Sequence, residues 1–103
     1  MGALDNLRFA VQRWRGSAVA CRHVDAMREV DRGSEGCEPC IALGDTWVHL
    51  RMCMTCGAVG CCTASKNTHA SRHAREANHP IVRSVEPDED WLWCFVDGVI
   101  VEG

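Results

Sequence analysis

No hydrophobic run in this 103-residue chain approaches membrane-spanning length, so no membrane partner is expected. Residues 1–16 lack an uninterrupted apolar stretch, and Asp5 and Arg8 stand where a secretory leader would be apolar. Export is therefore not expected, and the cytoplasm is the expected setting. Gly2 follows Met1, but position 6 holds Asn6 rather than Ser or Thr, so the myristoylation pattern fails. A surplus of basic charge is also missing: 11 Lys and Arg face 14 Asp and Glu, for a net charge of −3. Phosphate backbones need that surplus, so nucleic acid is not the expected partner, although Lys66, Arg72 and Arg75 lie close in sequence. There is no internal repeat and no low-complexity segment.

The supply of core-forming side chains is modest as well. Hydrophobic residues make up 47% of the chain, but eight of them are cysteines. One domain of this size with eight Cys and five His reads as a small scaffold held by cross-links. An even number of cysteines permits disulfides. A reducing compartment keeps thiols free, however, and Cys-x-x-Cys pairs mixed with histidines then point to zinc.

The expected class is a small α+β domain organised around metal, with a short antiparallel sheet and one main helix. Leu4, Leu7, Val11 and Trp14 fall at helical spacing, and residues 1–16 read as an amphipathic helix docking on the domain at 17–103. Residues 24–36 are polar and read as a loop. Residues 46–52, TWVHLRM, alternate Trp47, His49 and Arg51 against Val48, Leu50 and Met52, as a strand does. Residues 65–78 read as a helix, with Ser65 or Thr68 as its cap and Ala70, Ala74 and Ala77 favouring it. IVRSVE follows Pro80 as a short strand. WLWCFV and VIVE form a hairpin joined at Asp97-Gly98.

Chemistry concentrates in short-spaced ligand pairs. Cys37-Glu38-Pro39-Cys40 and Cys53-Met54-Thr55-Cys56-Gly57 are two. Cys94-Phe95-Val96-Asp97-Gly98 repeats the second layout with a carboxylate at the last ligand position, and carboxylate is an acceptable zinc ligand. Cys21-Arg22-His23 is a fourth pair. Cys61, His69, His73 and His79 complete the set. These seven cysteines, four histidines and one aspartate make twelve donors, enough for three tetrahedral ions. Cys62 and His49 are left over, and Asp97 also has the simpler reading of a turn residue.

Two look-alikes fail on their details. Cys53, Cys56, His69 and His73 have the spacing of a DNA-reading finger, but Gly60 and Lys66 occupy its two apolar positions. His69-Ala70-Ser71-Arg72-His73 has the paired histidines of a metalloprotease, yet Ala70 stands where the general-base Glu belongs.

The full order is Cys-x-His, Cys-x-x-Cys, Trp-Val, Cys-x-x-Cys, Cys, His-x3-His-x5-His-Pro and Trp-Cys, running from about residue 21 to about residue 100. It resembles the zinc finger of ubiquitin-specific proteases and of one histone deacetylase, and WVHLRMCMTCGAVGCC looks like a small stand-alone prokaryotic branch. The resemblance implies a division of the donors. Cys37, Cys40, Cys61 and His69 form one site, and Cys53, Cys56, His73 and His79 a second. Cys21, His23, Cys94 and Asp97 form a third. Four protein ligands per ion mark structural rather than catalytic zinc.

The resemblance further implies a pocket for the C-terminal tail of ubiquitin, built from an arginine and aromatic residues. Trp93 and Phe95 match aromatic positions. Thr63 stands at the arginine position and Ile100 where a further aromatic can sit. Losing that arginine removes the bidentate partner of a terminal carboxylate, so a peptide or protein tail other than ubiquitin is the expected partner. The competing reading is a redox- or zinc-responsive protein using Cys62 beside Cys61; a third is an accessory domain that delivers an enzyme to its target. No nucleophile-base pair is evident, so an enzyme is not expected.

Overall fold

Leu50 and Met52 are buried and Arg51 between them is only half-buried, the alternation of a strand with one face on the core. They belong to β1 (Leu50–Cys53) in a computed structural model that describes residues 18–102. The helix expected over residues 4–15, and with it the domain division at residue 16, lies outside the described residues. The other elements are a 3₁₀ turn (Arg22–Ala26), α1 (Glu38–Leu43), β2 (Val59–Cys61), α2 (His69–Ala77), β3 (Ile81–Ser84), β4 (Leu92–Cys94) and β5 (Val99–Val101). The strands form one antiparallel sheet in the order β2-β1-β3-β4-β5, with α2 packed on β1 and β2.

Several boundaries differ from the sequence reading for local reasons. β1 starts at Leu50 rather than at residue 46, because the Val48 N–H is taken by the Ser65 hydroxyl at 2.8 Å. α2 starts at His69 rather than at residue 65. Thr68 adopts a left-handed φ of 49° and makes no side-chain cap. The Cys61 sulfur accepts the first amide, His69 N–H, at 3.1 Å, so a candidate metal ligand caps the helix. The hairpin connection spans the four residues from Phe95 to Gly98 rather than Asp97-Gly98 alone, closed by Gly98 N–H to Cys94 O at 2.8 Å. Residues 24–36 are loop apart from the 3₁₀ turn at their start. β2 and α1 were not expected. Pro39 in the first turn of α1 and Gly44 in the left-handed cap after it are the signals that mark the helix.

The core is made of thiols as much as of hydrocarbon. Of the sixteen buried hydrophobic residues among those described, seven are cysteines. One cluster joins Cys37, Cys40 and Cys61 to Leu50, Met52 and Val59; the other joins Cys21 and Cys94 to Ile81, Leu92 and Val101. Met54 packs against both. Such a core is small for a self-sufficient fold.

Two glycines occupy left-handed turn positions. Gly57 (φ 83°) and Gly98 (φ 65°) close equivalent turns, each donating its N–H to the carbonyl of the cysteine that opens the turn, at 2.8 Å in both. A Cβ at Gly57 would collide with the Asp31 carbonyl oxygen, whereas a Cβ at Gly98 meets nothing within 4 Å. Gly98→Ala is expected to cost about 1–2 kcal/mol, the left-handed penalty alone. Gly57→Ala is expected to cost roughly 3 kcal/mol or more, since the clash adds to the strain. Denaturant unfolding of the zinc-loaded variants checks the order.

Candidate metal centres and an aromatic cleft

The turn after β1 and the turn after β4 present their donors alike. In the first, Thr55 N–H points at the Cys53 sulfur at 3.4 Å; in the second, Asp97 N–H points at the Cys94 sulfur at 3.3 Å. On α2, His69 and His73 lie four residues apart, on successive turns of one face.

The twelve donors gather into three groups of four, and within each group the ligand atoms lie within 4.8 Å of one another. The first group is Cys37, Cys40, Cys61 and His69, from the start of α1, the end of β2 and the start of α2. Its separations are 3.8 Å from Cys40 Sγ to Cys61 Sγ, and 3.3, 3.4 and 3.5 Å from His69 Nδ1 to the sulfurs of Cys37, Cys40 and Cys61. The second is Cys53, Cys56, His73 and His79. There Cys53 Sγ lies 3.4 Å from His79 Nδ1, Cys56 Sγ 3.3 Å from His73 Nε2, and the two imidazole nitrogens 3.2 Å apart. Zinc holding sulfur at about 2.3 Å and nitrogen at about 2.0–2.1 Å spaces its ligands about 3.8 Å (S to S), about 3.5 Å (S to N) and about 3.3 Å (N to N) apart. Both groups fit that tetrahedron.

The third group is Cys21, His23, Cys94 and Asp97. His23 Nδ1 lies 3.3 Å from Cys21 Sγ, 3.6 Å from Cys94 Sγ and 3.1 Å from Asp97 Oδ2. The Cys21 thiol donates to Asp97 Oδ2 at 2.8 Å, shorter than the edge of about 3.6 Å that a shared zinc would set. The donor set of two cysteines, an imidazole and a carboxylate fits zinc.

Electrostatics points the same way. Burial pushes the Cys37 thiol up to about 11, and Cys53 is raised by burial too. The hydrogen bond to Asp97, followed by burial, pushes Cys21 up to about 11, and the same bond holds Asp97 below its ordinary value. Burial, then the neighbouring His79, lowers His73. Cys21, Cys37 and Cys53 thus keep their protons until a dication compensates the charge. Around the first group, Asn67 Nδ2 reaches the Cys40 sulfur at 3.6 Å and donates to Asp45 at 3.0 Å, orienting the ligand from outside.

The leftover residues fall elsewhere. His49 is exposed and accepts the Cys62 N–H through its carbonyl at 3.0 Å. Cys62 is buried beside Ser65, 3.5 Å away. Burial would raise its thiol, but the Ser65 hydroxyl, nearby backbone amides and the Arg51 charge bring it below the ordinary value. Thr63, Trp93 and Phe95 line one cleft of about 210 Å³ together with Arg51, Cys62, Val82 and Trp91. Ile100 is not among its walls. It pairs with Trp93 on the side away from Val82, and lines a separate cavity of about 750 Å³ with Met27, Met54 and Leu92. Arg51 is the cleft residue that sequence reasoning missed: alternation set it opposite Leu50, but not beside Trp93.

The family described as "Zn-finger in ubiquitin-hydrolases and other protein" matches residues 37–102. The solution NMR structure of protein RPA1320 from Rhodopseudomonas palustris is 47% identical, covering 82% of this chain and 83% of that one, with a TM-score of 0.75. No curated protein is significantly similar. Family and clusters together make this a zinc protein with three sites.

Native mass spectrometry is expected to give three zinc ions per chain. A strong chelator is expected to unfold the domain, since each structural zinc contributes on the order of 10 kcal/mol of apparent folding free energy. Because Cys21 and Cys37 hold their protons to about pH 11 without metal, zinc uptake near neutral pH releases protons. Affinity therefore falls as pH falls, and chelator competition between about pH 7.5 and about pH 5.5 should show it.

Proposed function

The chain belongs to this family of zinc fingers, and from that premise we propose that it is a non-catalytic, zinc-braced module that binds a protein or peptide tail, working in the reducing cytoplasm. The supporting observation is that Thr63 lines one cleft with Trp93 and Phe95, which lie at least thirty positions further along the chain. Trp93 and Phe95 flank Cys94 and offer flat apolar walls suited to an extended chain. In this reading the twelve clustered residues are the zinc ligands, Asp97 included. Four protein donors per ion leave no open coordination position for a substrate or an activated water. The redox reading is weaker, because Cys62 is buried, 5% exposed as a residue, with its sulfur against the Ser65 hydroxyl.

Titrating the zinc-loaded protein with a peptide ending in Gly-Gly, followed by NMR, is expected to shift the Thr63, Trp93 and Phe95 signals together. Trp93→Ala is expected to weaken binding by roughly tenfold or more while leaving three zincs in place. If the peptide moves none of the three signals, the cleft is packing and the tail-binding reading falls. Asp97→Ala should leave two zincs by native mass spectrometry and Asp97→Cys three; three zincs in Asp97→Ala would make Asp97 a turn residue.

A further inference from the structure

The cavity of about 750 Å³ beside Ile100 shares only Trp91 with the Thr63 cleft. Its apolar wall continues the second core cluster. Leu92 and Val101 are buried, whereas Met27 and Met54 pack against that cluster and stay partly open. Trp91 and Ile100 are half-buried too. Hydrocarbon is thus left uncovered on a core already short of it. The charged residues of the wall lie nearer water: Arg83 and Glu102 are exposed and Asp90 is half-buried. Small-molecule sites hold their ligands with a few converging polar groups, and no buried polar side chain lines this cavity. Such a wall suits an apolar stripe with a charged border.

The chain itself leads to this place. Ala18, the first described residue, is part of the wall. Val19 is fixed beside β5, donating its N–H to Ile100 O at 2.9 Å and accepting the Glu102 N–H at 3.0 Å. Cys21 and His23 follow in the third donor group. The point from which residues 1–17 depart is therefore set at the cavity. Trp14 precedes Ala18 by four residues, so it lies within about 14 Å of it. Leu4, Leu7, Val11 and Trp14 share one stripe at helical spacing, and a helix from Leu4 to Trp14 is about 15 Å long. Gly16-Ser17 supplies the turn that lets such a helix fold back. Arg8 and Arg15 border the stripe and complement Asp90 and Glu102, with Arg83 the one wall charge of their own sign. A segment tethered so closely acts at an effective concentration in the millimolar range, ahead of a free partner. We propose that this cavity is the docking site of the chain's own residues 4–15, with Leu7, Val11 and Trp14 entering it and Arg8 and Arg15 facing its acidic residues. The docked segment covers the hydrocarbon that the second core cluster leaves open.

NMR of the zinc-loaded full chain with labelled methyl groups reads the contact directly. Nuclear Overhauser contacts are expected from Val11 and Trp14 to the methyls of Met27, Met54 and Ile100. Val11→Asp is expected to abolish the Trp14 contacts and shift those three methyl signals, with three zincs retained and the Thr63 and Phe95 signals unmoved. Phe9 falls on the opposite side of the helix, so Phe9→Asp should leave the contacts in place. Absence of the contacts in the wild type overturns the proposal and leaves the cavity to an outside molecule. Contacts that appear only between labelled and unlabelled copies in a mixed sample assign the cavity to a second copy and overturn it as well. If Val11→Asp keeps the Trp14 contacts, or Phe9→Asp loses them, the stripe is not the face that docks and the assignment falls.

Discussion

Twelve donors brought within ligand distance of one another are the constraint on which the rest of this protein depends. Sulfurs and imidazole nitrogens 3.2–3.8 Å apart would repel as anions or hold protons as neutral groups, and only a shared dication makes the arrangement stabilising. The sulfurs are not an appendage to a hydrocarbon core. They occupy its centre, with Cys37, Cys40, Cys61 and Cys94 fully buried. The zinc sites therefore perform the work that larger domains assign to packed Leu, Ile and Phe.

The two groups around β1, β2 and α2 interlock. His69 and His73 are one helical turn apart, yet they face different groups, and Cys53 and Cys61 lie at the two ends of one strand pair. Neither group can form without placing most of the other. Close approach of the helix is part of the same design: a Cβ at Gly60 would stand 2.7 Å from the Ala70 amide nitrogen, so β2 admits α2 only because it has no side chain there. The third group sits apart, tying residues 21–23 to the β4–β5 hairpin.

The cleft inherits its shape from all three. Cys62 and Thr63 follow Cys61, Trp93 and Phe95 bracket Cys94, and Arg51 precedes Cys53 by two residues. Thr63, Trp93, Phe95 and Arg51 thus each lie within two residues of a clustered donor. Side chains so held have little conformational freedom left to lose, which is the property the proposed tail-binding reading needs of a small cleft.

The donor types, their spacing and the repeated Cys-x-x-Cys-Gly and Cys-x-x-Asp-Gly layouts were legible in the sequence, because short-range ligand geometry is written in consecutive residues. The main helix, β3 and the final hairpin were legible too, through periodicity and turn chemistry. β2 and α1 were not, since three and six residues are too few to establish a period. Spacing alone left open which donors share an ion; the resemblance assigned them, and only the folded chain brings Cys21 and His23 to Cys94 and Asp97. Arg51 shows the limit most clearly. Alternation along a strand fixes the face on which a side chain stands, but its neighbours are chosen by strand order and register. The pairings Arg51–Ser84 and Val82–Trp93 bring this arginine to a cleft that Trp93 also lines, forty-two positions away in sequence.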